Sequence, residues 1–127
     1  MLLRRSAGSC RILPIALIAG LFSTLAFAHH GWSWYGDDAF SLTGTVVETH
    51  LGNPHDRLTV EADGQQWNLV LSPPGRSRRA RFDDSQINVG DTVTAFGRRH
   101  RERGTLEMKT ERLKVGDQTY DLYPDRL

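Results

Sequence analysis

The stretch RLTVEADGQQWNLVL, residues 57–71, constrains the fold more than any other part of the chain. Leu58, Val60 and Ala62 alternate with polar residues, and Trp67, Leu69 and Leu71 alternate on the return. A period of two places such residues on one face of a strand. Asp63-Gly64 between the two runs is a favoured two-residue hairpin turn, because both positions accept positive φ. The stretch therefore predicts a β-hairpin with one apolar face. A hairpin is marginal alone, so that face requires further strands to cover it.

The remaining chain supplies them. SLTGTVVETH from Ser41 is rich in β-branched residues and is closed by the turn formers Gly52, Asn53 and Pro54. NVGDTVTAFGRR, GTLEMKTERLKV and QTYDLY repeat the pattern after Gly90-Asp91, Gly104 and Gly116-Asp117. Between the third and fourth strands, after Pro73-Pro74-Gly75, RSRRARFDDSQI is the one segment that suits a short helix. Five or six short strands with one helical insertion predict an all-β domain over residues 41–127, a small OB-like barrel. A β-sandwich is the alternative, since strand order is not readable from one sequence.

The amino-terminal residues read differently. Arg4, Arg5 and Arg11 precede an apolar run from Ile12 to Phe27, and Ala26 and Ala28 form an A-x-A pattern. These are the three parts of a secretory signal peptide, cleaved after Ala28. The run is short of the ~20 residues of a membrane span, so no span is expected after processing. Processing would also remove Cys10, the sole cysteine, and with it any disulfide or thiolate metal site. The formal charge of the 127-residue chain is +1, and loss of the three arginines turns it to −2. A negative, secreted domain with this charge is not expected to bind nucleic acid. The expected compartment is the periplasm or the cell exterior.

Several motifs together are distinctive: AHHGWSWY after the signal, LTGTV, NPH, GQQWNLVLSPP, VGDTVTAFG and ERLKVGDQTYDL. In these the chain resembles a family of small secreted bacterial proteins of unknown function. The resemblance spans essentially the whole mature chain. It implies secretion and a recurring His-His plus Asn-Pro-His pattern, carried here by His29, His30, Asn53, Pro54 and His55. It implies no activity, and the arginine-rich RSRRAR loop departs from it.

The chemistry of the junction follows from the cut. Cleavage after Ala28 makes His29 the terminal residue, whose free amine and imidazole can chelate one metal ion. One further histidine completes a three-nitrogen histidine brace. Nitrogen coordination of this tetragonal kind favours Cu(II), which tops the affinity order of divalent metals. His55 is the preferred remote ligand and His50 the next, with His30 adjacent, and the tail of residues 29–40 is long enough to reach them. Cuts one or two residues earlier would leave Ala28-His29-His30 or Phe27-Ala28-His29 at the start of the chain. Each has a histidine third from the amine, which makes an amino-terminal square-planar copper or nickel site. The expected function is copper binding, transfer or sequestration, with copper as a cofactor.

A second expectation is an interaction module for a glycan, peptide or protein partner. Its surface would be formed by Trp32, Trp34 and Tyr35, together with Arg76, Arg78 and Arg79 of the helical insertion. The three aromatics also suit packing that buries the tail against the barrel. His100, within RRHRER, is expected at a solvated hairpin tip. Enzyme chemistry has little support, because no nucleophile–base grouping or phosphate loop is legible; oxidative chemistry at a copper brace is a third expectation.

Overall fold

The architecture is that of a computed structural model that describes residues 31–127. The signal peptide, its cleavage point, His29 and His30 lie outside the described residues. Six strands run in chain order: β1 (Tyr35–His50), β2 (Arg57–Ala62), β3 (Gln65–Val70), β4 (Thr92–His100), β5 (Glu107–Val115) and β6 (Gln118–Asp121). A short helix, α1 (Pro74–Arg79), lies between β3 and β4, as the arginine-rich segment predicts. Single 3-10 turns follow at Asp84–Gln86 and Pro124–Arg126.

The predicted hairpin forms with the predicted turn. Ala62 pairs with Gln65, leaving Asp63 and Gly64 as the two loop residues, with φ of 51° and 75°. β1 reaches further than the alternation beginning at Ser41 suggests. Tyr35 already pairs with His100, and the register shifts before Ala39. Residues Tyr35–Thr45 of β1 pair with β4, while Thr45–His50 pair with β2. One long strand thus serves two neighbours. β3 and β5 then pair in parallel, through Asn68–Glu107, Leu69–Met108 and Val70–Lys109. That contact closes the ladder in the order β1-β2-β3-β5-β4 and back to β1, with β6 added to β5. The fold is all-β and OB-like, with one short helix, and a two-sheet sandwich does not describe it.

The core is the inner face of this ring. Leu58, Val60, Leu69, Leu71, Val93, Ala95, Met108 and Leu113 are fully or almost fully buried, from strands on every side. Phe82, from the segment after α1, is wholly enclosed and meets Tyr120 edge-on at 5.2 Å. α1 is tied to the core by Ser77, whose hydroxyl bonds that of Ser72 at 2.7 Å with both residues buried. Among the described residues no helix is long and apolar enough to cross a membrane.

The outer face of the β3–β5 seam is covered by the two ends of the described chain. Residues 31–33 are helical, and Trp32 packs edge-on against Tyr123 at 5.0 Å between ring centroids. Trp34 and Ser33 are held by the hairpin tip, Arg101 donating its backbone N–H to the Trp34 carbonyl at 2.8 Å and its Nε to that of Ser33 at 3.0 Å. At the other end, the backbone N–H groups of Leu122 and Tyr123 both donate to the Glu111 carbonyl.

Candidate functional site

The covered seam gathers the polar groups that the fold buries. β5 carries Glu107 and Lys109 on the face opposite Met108, which is in the core. Such positions ordinarily meet water. Here Lys109 is only 3% exposed. Its ammonium donates to the Leu71 carbonyl at 3.3 Å and lies 5.5 Å from the ring centroids of both Trp32 and Tyr123. Burial, reinforced by the nearby Arg57 charge, pulls its pKa from an ordinary 10.5 down to about 8. Glu107 is fixed from two sides, accepting from the Tyr35 hydroxyl at 2.5 Å and from Asn68 Nδ2 at 2.7 Å. Burial first, and this carboxylate second, hold the Tyr35 hydroxyl well above its usual pKa. Arg126 stacks on the outside of Trp32, 3.7 Å from its centroid, and Arg76 lies 4.8 Å over Tyr123.

His55 borders this cluster. It sits in the β1–β2 loop, half-buried, directly after the cis Asn53–Pro54 bond. Burial lowers its pKa, and the charges of Lys109 and Arg57 lower it further. Both effects favour the neutral imidazole, the form that can ligate a metal. The neighbouring Asp56 is buried and accepts from the Gly52 backbone N–H at 2.8 Å, which fixes the loop.

The other expected residues are distributed unevenly. His50 ends β1, paired with Arg57, and its side chain is exposed. Trp32 and Tyr35 are part of the seam, whereas Trp34 is 61% exposed beside the β4–β5 hairpin. Of the α1 arginines, Arg76 reaches the seam through Tyr123 and also meets Asp125 at 3.8 Å. Arg78 and Arg79 are exposed, Arg78 beside a groove that includes Asp56, Asp83 and Asp84. His100 is not a solvated tip residue: it is half-buried at the end of β4, with its ring edge-on to Tyr35 at 5.6 Å. Among the described residues, no three histidine, cysteine or acidic side chains converge in a metal-binding group. Sequence reasoning did not single out Lys109, Arg57, Glu107 or Tyr123. Alternation gives no signal for Glu107 and Lys109, which flank apolar Met108 on the phase that ordinarily meets water.

A family model described as a family of unknown function, DUF6152, matches residues 18–110. The chain belongs to this family. The match agrees with the resemblance to an uncharacterised family drawn from the motifs. No curated protein matches this DUF6152 chain. Among solved structures it is similar to the S. pombe Stn1-ten1 complex, at 18% identity and a TM-score of 0.49, covering 63% of this chain and 59% of that one. It is also similar to a complex of TiaS with a tRNA and ATP, at 15% identity and a TM-score of 0.44, covering 61% of this chain and 18% of that one. The DUF6152 chain thus spans less than two thirds of either.

Proposed function

We propose that the protein is a secreted, periplasmic or extracellular copper-binding protein. Its ligands are the amine and imidazole of a mature amino-terminal His29 and the imidazole of His55, with His30 or His50 as auxiliary donors. The observation that supports this reading most is the position of Trp32. That ring lies 5.5 Å from the Lys109 ammonium, whose charge is also felt at His55. Trp32 follows His29 by three positions, a reach of up to roughly 10 Å when extended. This supports a tail that meets the loop carrying the remote histidine.

The donor set fits such a metal. A neutral imidazole on a loop braced by Asp56 needs no proton displaced before it ligates. Lys109 and Arg57 oppose a dication by like charge, so the site suits a metal whose bonds to nitrogen offset that repulsion. Cu(II) heads that order. When bound it would contribute coordination and a redox-active centre, while this chain orients the histidines. Binding, transfer or sequestration of copper is the function proposed.

Native mass spectrometry of protein exported through its own signal, with and without equimolar Cu(II), tests the reading. It expects a mature mass beginning at His29 that retains one copper, and loss of that copper in His55→Ala. A chain that starts at His29 yet yields its copper to a weak chelator would refute it. One observation favours a second reading, an interaction module for a glycan, peptide or protein: Trp34 stands 61% exposed beside the arginine-rich hairpin.

A further inference from the structure

At the free end of the β4–β5 hairpin, a cavity of about 330 Å³ opens between that hairpin and the first residues of β1. Arg99, Arg101 and Arg103 line it with His100 and Phe40, and Asp38 is the one carboxylate among its lining residues. Arg99 is the unusual member. Its guanidinium lies 4.8 Å over the ring of buried Trp67 and 5.7 Å from that of Phe40. One terminal nitrogen donates to the Arg103 carbonyl at 3.1 Å. Its Nε is buried with no hydrogen-bond partner. Among the described residues no carboxylate pairs with Arg99 or with Arg103, whereas Arg101 meets Asp37 at 3.7 Å and Arg98 meets Glu111 at 3.1 Å.

A guanidinium has five donors in a planar fork, and a buried donor without an acceptor is a cost to the fold. Stacking on Trp67 holds this fork in one plane, the arrangement that recognises two oxygens of a carboxylate or phosphate together. The volume is at the small end of ligand pockets. We infer that this cavity binds one small oxyanion-bearing ligand, with Arg99 as the bidentate donor and Arg101 and Arg103 as flanking charges. Phe40 and Ala39 give the cavity its apolar lining, so the ligand carries its oxyanion at one end of a compact body. The shared chemistry is the oxyanion; a sugar acid would supply it as carboxylate, free phosphate as the ion alone.

Nuclear magnetic resonance on copper-free mature protein tests this at constant ionic strength. Inorganic phosphate and glucuronate are titrated separately, with chloride as the reference. The Arg99 Nε–H and the backbone amides of Phe40 and His100 are followed. The expected result is saturable movement of these signals with at least one oxyanion and none with chloride. Saturation at lower glucuronate than phosphate assigns the sugar acid, and the reverse order assigns phosphate. Arg99→Lys, which keeps the charge and loses the fork, weakens binding about tenfold by the backbone signals. Arg103→Ala, at an exposed position, weakens it severalfold without disturbing the Trp67 stack. Movement that chloride reproduces, or an Arg99→Lys titration equal to the wild type, overturns the inference.

Discussion

Lys109 makes the fold's stability depend on pH in a window where few other groups titrate. Its pKa falls from 10.5 to about 8 because the ammonium is buried under Trp32 and Tyr123, which supply weaker stabilisation than water. Displacement of that size corresponds to about 3 kcal/mol by which the fold disfavours the charged amine. The folded value lies below the unfolded one, so between pH 8 and 10.5 the unfolded chain holds a proton that the native chain has released. Stability therefore rises with pH across that interval. From pH 7 to pH 9 the gain is about 1 kcal/mol, since the native amine is mostly charged at the first value and mostly neutral at the second. Competing groups lie outside the window. His55, with its pKa lowered by burial, loses its contribution only as pH falls through the acid range below 6.5. Tyr35 and Tyr123, with pKa values raised by burial, lose theirs only at strongly alkaline pH. Urea unfolding followed by tryptophan fluorescence, at pH 7, 8 and 9 with a chelator present, measures the slope. Lys109→Met keeps the length of the side chain, removes the charge, and flattens the profile while raising stability at pH 7. A wild type that is flat over this range, or a Lys109→Met variant with the same slope, refutes the reasoning.

Three further outcomes rest on individual contacts. Tyr35→Phe deletes the 2.5 Å hydrogen bond to Glu107 and leaves that carboxylate to Asn68 alone; it costs about 1–3 kcal/mol in urea unfolding at pH 7. Gly97→Ala drives a methyl group into the Lys109 backbone carbonyl at the β4–β5 bulge, and its thermal midpoint falls by several degrees, consistent with about 1–3 kcal/mol. Trp32→Ala removes the first side-chain anchor of the tail but leaves the Ser33 and Trp34 carbonyls held by Arg101, so the loose chain after His29 lengthens by one residue. Loop closure then costs roughly 0.3 kcal/mol more, so Cu(II) affinity falls less than twofold by competition titration, against complete loss in His55→Ala.

What could be read from the chain was what neighbouring residues decide among themselves. Asp63-Gly64 sets its hairpin because both φ values are positive and the flanking apolar residues alternate in step. α1 follows from Pro74 at its start and the break before Asp84. The early part of β1 was obscured because Gly36-Asp37-Asp38 has the composition of a turn, and only the flanking pairs Tyr35–His100 and Ala39–Arg98 carry the strand across this register shift. The same pairing moved His100 from an expected solvated tip to a half-buried place against Tyr35. The polar cluster was hidden for a different reason. Glu107 and Lys109 occupy the outward phase of β5, where alternation predicts water. The burial of Lys109 depends on Trp32 and Tyr123, whose positions are separated by most of the described chain.

That dependence gives the seam a physical logic. A buried ammonium beside a cationic arginine is a net cost, and an apolar residue at position 109 would cover Leu71 and Val70 without it. The chain offsets the cost with aromatic faces from both ends of the described residues and a carboxylate held by Tyr35 and Asn68. A ligand that binds only the folded tail and loop would add about 2.7 kcal/mol when present at a hundredfold excess over its dissociation constant. This is close to the amount that Lys109 withholds at neutral pH. Copper-loaded and copper-free protein should therefore differ most in stability above pH 8, where Lys109 is neutral and no longer opposes the dication, provided the tail and His55 share the metal as proposed. An equal midpoint for both forms at pH 9 would separate the cover from the metal and leave the seam as a purely structural seal.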